Sequence, residues 1–127
     1  MNITLNNIKK SFGNKSILKD INLEIKEGAF HVILGPSGCG KSTLLNIISG
    51  VEQPDSGIIT HNSKNITTVS PQLRNMGYVF QDYSLFPHLT VYDNVAFGLK
   101  TKKLSKKEIS YRVKKYLQLT GMTMYKG

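Results

Sequence analysis

A chain of 127 residues, 39% of them apolar, can build one core-bearing domain or part of a larger one, and no apolar run in it approaches the roughly 18 residues that a bilayer span needs. The opening MNITLNNIKK has no apolar signal-peptide core, and the single cysteine, Cys39, excludes a disulfide framework and any cysteine-rich metal site, so a cytoplasmic protein is expected. The formal charge of +9 is uneven: nine of the 17 Lys and Arg residues, but only one of the eight Asp and Glu residues, fall in residues 100–127.

Taken in order, Ile3, Leu5 and Ile8 alternate loosely with polar residues, and Ile21, Leu23 and Ile25 alternate strictly, so residues 2–9 and 16–25 are predicted to be antiparallel strands. The Gly13-Asn14 pair marks the turn between them, and Phe12 beside it reads, on its own, as a core aromatic. After a turn at Glu27-Gly28, Phe30-His31-Val32-Ile33-Leu34 is predicted to be a short buried strand. Next comes Gly35-Pro36-Ser37-Gly38-Cys39-Gly40-Lys41-Ser42-Thr43, which matches the phosphate-loop pattern G-x-x-x-x-G-K-[ST] at every fixed position. Leu44, Leu45, Ile47 and Ile48 then recur at helical spacing, with Gly50 as the stop.

The residue types suit a triphosphate. Glycines let the backbone approach a phosphate closely. The N–H groups from about Gly38 to Thr43 form a concave anion nest, and the helix start adds partial positive charge. Lys41 supplies a point charge for the outer phosphates, and the Ser42 hydroxyl is a hard ligand for Mg²⁺.

Beyond Gly50, Glu52 to Gly57 reads as a loop, Gly57 to Thr60 as a short strand, and Asn62-Ser63 as a turn. Residues 64–75 are polar and irregular. Met76 to Phe80 is predicted to be a second buried strand ending at Gln81-Asp82. Thr90 is placed to cap a helix through Val91, Val95 and Leu99, with Gly98 a weak point. Ser105 and Glu108 fit a capping box opening a helix with Ile109, Val113, Tyr116 and Leu117 on one face, ended by Gly121. The basic charge of this last region is read as a solvated helix face, with an anionic membrane surface as second reading. No aromatic-interleaved basic stripe supports nucleic acid, which is not expected as a partner. His31, His61 and His88 lack ligand-like neighbours, and Asp82 is expected to be a surface residue rather than a Mg²⁺ ligand.

The phosphate loop alone fits kinases, GTPases and many ATPases. Its order after antiparallel strands, followed by Pro54-Asp55-Ser56-Gly57 and then GYVFQDYSLFPHLTVYDNVAFGL, closely resembles the ATP-binding subunit of ABC transporters. The wording of the last segment is most similar to importer subunits for polyamines, ferric iron, sugars or anions. The resemblance covers Ile3 to about Tyr125. It implies an α/β fold: a partial phosphate-loop NTPase core with an antiparallel β subdomain (residues 1–80), then a glutamine loop and the start of a helical subdomain (81–127). It also implies that Phe12 stacks on adenine, that Gly35, Pro36, Ser37, Gly38, Cys39, Gly40, Lys41, Ser42 and Thr43 hold the phosphates, that Ser42 and Gln81 contact Mg²⁺, and that Lys41 and Gln81 are the catalytic candidates. ATP and Mg²⁺ are the implied cofactors. The implied partners are a transmembrane permease subunit, which would hold the protein on the inner face of the membrane, and a second nucleotide-binding subunit.

The resemblance also calls for an LSGGQ-type signature, an apolar strand ending in Asp-Glu, and a late histidine. The chain contains neither a Gly-Gly nor an Asp-Glu pair. It is therefore expected to be the N-terminal portion of such a domain, binding MgATP without appreciable turnover, marginally stable and with apolar faces exposed. The rival readings are a non-catalytic nucleotide-binding fragment or regulatory remnant, another phosphate-loop enzyme, and, more distantly, a basic nucleic-acid binder.

Overall fold

A computed structural model describes residues 2–102 and 104–124. The chain divides after Tyr78 into two units.

The first unit is built on the four-stranded antiparallel sheet β2-β1-β3-β4, where β1 is Ile3–Phe12, β2 Lys15–Ile25, β3 Ser56–His61 and β4 Lys64–Asn65. The loose alternation of β1 has a physical cause. Leu5 and Ile8 are three residues apart, which in a regular strand would place them on opposite faces, yet both are fully buried. The pairing of β1 with β2 slips between them, with Asn7 in the left-handed region at φ 51°. This bulge inserts the residue that returns Ile8 to the core face, and the Asn7 N–H donates to the Asn22 side chain at 2.9 Å.

Helix α1 (Lys41–Ser49) contributes Leu44, Ile47 and Ile48 to one core with Ile3, Leu5, Ile8, Leu18, Ile59 and Ile66. Gly50 ends the helix as predicted, in the left-handed conformation with its N–H on the Ile47 carbonyl. The polar stretch 64–75 is more ordered than its composition suggests: it holds β4 and a short helix, α2 (Pro71–Arg74).

The two predicted buried strands are not present. Residues 30–34 form no ladder among the described residues; Phe30 and Leu34 are 91% and 87% exposed, and only Ile33 packs against the core. Residues 76–80 likewise run without strand pairing, with Met76 against the core and Val79 exposed. An apolar run becomes a buried strand only where neighbouring strands satisfy its N–H and C=O groups, and the described residues supply none. The expectation of exposed apolar faces is met here.

The loop before β3 is held to β1 by charge. The Lys10 ammonium sits 2.7 Å from Glu52, 3.3 Å from Asp55 and 2.8 Å from the Gln53 carbonyl, and the Ser11 N–H donates to Asp55 at 2.7 Å. The hydrogen bond from Lys10 holds the Glu52 carboxyl below its usual range. A depressed carboxylate contributes stability above its unfolded pKa, about 4.3, and loses it as pH falls through the folded value. Glu52→Gln is therefore expected to melt below the wild-type chain at pH 6, by a gap that narrows at pH 3; a gap in melting temperature that is the same at both pH values contradicts this.

In the second unit, α3 (Val91–Thr101) and α4 (Lys106–Leu119) pack through Ala96, Ile109, Val113 and Leu117, with Val91, Tyr92, Val95, Leu99 and Leu104 around them. Both predicted caps form: Thr90 and Ser105 side chains accept from the N–H groups of Asp93 and Glu108. Glu108 pairs onward with Arg112 at 2.6 Å. Tyr116 is half exposed rather than on the buried stripe, because Ile109, Val113 and Leu117 recur every four residues and Tyr116 falls one helical step to the side. The Asn94 side chain gathers the Phe86, Leu89 and Thr90 carbonyls, and Phe86 lies 4.4 Å from Phe97, so the loop before α3 folds back onto that helix. No helix among the described residues is long and apolar enough to cross a membrane.

Candidate functional site

The segment Gly35–Thr43 bends from an extended run into α1. Gly35 to Cys39 are exposed. Gly40 is the N-cap at φ 98°, a left-handed conformation that L side chains rarely adopt, and a Cβ there would lie 2.8 Å from the Ile17 side chain and 2.9 Å from that of Leu18. Only glycine lets the loop turn into the helix against β2. No side chain caps α1, and its first turn holds no acidic residue. The N–H groups of that turn have no intrahelical acceptor and point out of the positive helix end. This is the anion-receiving geometry expected of the motif.

Lys41 reaches back over the loop. Its Nζ donates to the Gly35 carbonyl at 2.9 Å and the Pro36 carbonyl at 2.7 Å, and stands 3.7 Å from Cys39 Sγ. The ammonium is thus held across the loop by two main-chain carbonyls. The Ser42 residue is exposed in the first turn of α1. Its hydroxyl is a hard oxygen donor of the kind Mg²⁺ takes. The described residues contain no cluster of three or more His, Cys, Asp or Glu side chains that would hold a metal by themselves.

Phe12 is 50% exposed rather than a core aromatic. It pairs with Lys15 at the end of the β1–β2 hairpin, and Ile17 and Leu18, just beyond Lys15, abut Gly40. The Lys10 ammonium lies 5.1 Å from the Phe12 ring centroid, a cation–π contact that steadies the ring. Gln81 belongs to the second unit, exposed in a turn closed by the Tyr83 N–H on the Phe80 carbonyl at 3.0 Å. Next to it, Ser84 Oγ donates to Asp82 at 2.7 Å and holds that carboxyl below its usual range.

One residue behind the site escaped the sequence reading. Arg74 is 2% exposed and donates to the Ile47 and Ile48 carbonyls at the far end of α1. The available signal was composition. The chain has fifteen lysines and only two arginines, and an arginine chosen where lysine is the habit points to a need for a planar, multidentate donor.

The ABC transporter family matches residues 18–126. The chain is 52% identical over 120 residues to the spermidine/putrescine import ATP-binding protein PotA of Fusobacterium nucleatum, covering 94% of this chain and 32% of that protein. It is 47% identical over 125 residues to the PotA protein of Acetivibrio thermocellus, covering 98% of this chain and 36% of that protein. The chain thus spans about a third of the length of these relatives. Among solved structures, it is similar to the ATP-binding cassette MJ0796 in a dimeric post-hydrolysis state bound to ADP and Pi, with TM-score 0.78 and 35% identity, covering 91% of this chain and 56% of that one. A second dimeric structure of MJ0796, described as a bacterial ABC transporter cassette, matches at TM-score 0.77 and 36% identity, over 87% of this chain and 53% of that one.

Proposed function

The chain belongs to the ABC transporter family, and from that premise we propose that it is the nucleotide-binding part of an ATP-driven importer, with polyamines as the cargo class suggested by the relatives' names. The observation that carries this reading is the Lys41 ammonium held on the Gly35 and Pro36 carbonyls before an uncapped helix start. In this reading Phe12 stacks on adenine, the N–H groups from Gly38 to Thr43 bind phosphate oxygens, and Lys41 moves from the loop carbonyls to the β- and γ-phosphates. Ser42 holds Mg²⁺, with Gln81 as a second oxygen donor toward the ion or the attacking water. The ion, when bound, offsets phosphate charge as the γ-phosphoryl group leaves.

Residues 1–80 are the β and phosphate-loop part and residues 81–127 the start of a helical part. The partners are a transmembrane permease subunit, which keeps the protein on the inner membrane face, and a second nucleotide-binding subunit. The 127 residues by themselves bind MgATP without appreciable turnover, since they offer no Asp-Glu pair to activate water. The test is uptake of radiolabelled spermidine and putrescine by cells carrying the complete gene and its permease partners. Uptake that disappears with Lys41→Ala supports the proposal; uptake unchanged by that substitution contradicts it.

A further inference from the structure

Arg74 takes no part in the phosphate chemistry derived above, yet its burial is hard to account for as packing alone. Its Nη1 donates to the Ile47 and Ile48 carbonyls, both at 2.8 Å, its Nε to the Val69 carbonyl at 2.8 Å, and its Nη2 to the Thr67 carbonyl at 2.9 Å. These acceptors are all main-chain carbonyls, none a carboxylate. Burial pulls the guanidinium pKa down, so a charge is held in the interior at a desolvation cost that a leucine or methionine would avoid.

We propose that Arg74 is a positioning residue for nucleotide phosphate: it clamps the C-terminal end of α1 to the Thr67–Val69 segment and so fixes the direction in which the opposite end of that helix presents its N–H groups. The inference rests on the reading of Gly35–Thr43 as the phosphate site. Three observations support it. Helix α1 has nine residues, too few to hold its own geometry in isolation, and its phosphate end has no side-chain cap. The Ile47 and Ile48 carbonyls at its other end lie in the last turn, past the reach of i+4 helical N–H donors, with the Gly50 N–H as the cap bond on Ile47, and a cation there is also favoured by the helix dipole. The fit around the clamp is close: a Cβ on Gly50 would lie 2.5 Å from Arg74 Nε, so the residue that ends α1 also leaves room for the guanidinium. A second tie runs in parallel, from the Tyr78 hydroxyl to the Asn46 side chain at 2.7 Å. With the C-terminal half of α1 held at two points, small rotations of the helix that would misdirect the N–H groups of Lys41, Ser42 and Thr43 are resisted.

The test compares MgATP with AMP, which lacks the β- and γ-phosphates, by calorimetry on the full chain and on Arg74→Gln and Arg74→Lys, with melting curves alongside. MgATP affinity is expected to fall about tenfold in Arg74→Gln while AMP affinity stays within about twofold, with a smaller selective loss in Arg74→Lys, which keeps the charge but not the planar fork. A general loss of structure would lower both ligands together. Parallel loss, or no loss for either ligand, overturns the proposal. If Arg74→Gln does not fold, Arg74→Lys decides by the same comparison. Wild-type chain that binds MgATP no tighter than AMP shows instead that the phosphate-site reading has failed, and the positioning role falls with it.

Discussion

Lys41→Ala is expected to lower MgATP affinity by about ten- to a hundredfold, with AMP binding nearly unchanged. The ammonium has three protons, two of which are held by the Gly35 and Pro36 carbonyls at 2.9 and 2.7 Å. Those carbonyls lie in an exposed loop, so water replaces the lost donors and the fold should tolerate the change. The γ-phosphate has no such substitute. A hydrogen bond to a charged group contributes roughly 1.5–3 kcal/mol, and each 1.4 kcal/mol is about a tenfold change in affinity. Calorimetric titration checks the prediction. Equal losses for MgATP and AMP would mean that Lys41 supports the fold rather than the phosphate.

The largest expected effect on stability lies beneath the same helix. Ile47→Ala is expected to cost about 2–5 kcal/mol, the range for deleting a fully buried branched side chain. Ile47 is 0% exposed and belongs to one core with the sheet residues Leu5, Ile8 and Ile59. Leu45, on the same helix but 46% exposed, provides the internal comparison: Leu45→Ala should cost less than about 1 kcal/mol. Urea unfolding of the two variants measures the difference. Equal costs would show that α1 does not dock on the sheet through Ile47.

Both predictions concern α1, the element most readily legible in the sequence. Its start is fixed by the phosphate-loop pattern and its end by Gly50, and of the four apolar residues at helical spacing Leu44, Ile47 and Ile48 are buried while Leu45 is not. The helix caps at Thr90 and Ser105 were legible for the same reason: a cap depends on residues three apart, and local rules suffice. The strands were harder. The bulge in β1 obscures the alternation through Ile8, because it depends on Asn22 fifteen residues away. Phe30 to Leu34 has the composition of a buried strand, but a strand is completed by the partners it pairs with, and composition does not say whether they are present.

The candidate site divides along similar lines. Gly35 to Thr43 was visible because its residue pattern is contiguous and its hydrogen bonds are local, such as that from the Lys41 ammonium to the Gly35 carbonyl six residues earlier. Phe12 could be singled out only through family resemblance, since nothing in its immediate neighbours separates a ring left half exposed beside a turn from one buried in a core. Arg74 is marked in the sequence only by its rarity among lysines; its partners were not legible, because they are carbonyls, which no residue type announces, and because Ile47 and Thr67, its acceptors, have no pattern in common.

Every role proposed for Lys41, Ser42 and Arg74 requires the loop backbone to receive phosphate. The most direct measurement is the amide NMR spectrum of the ¹⁵N-labelled full chain during titration with MgATP. Saturable shifts at Gly38, Gly40, Lys41 and Ser42, not reproduced by AMP, are the predicted result. A titration in which these four amides stay in place while MgATP binds elsewhere, or does not bind, would contradict it.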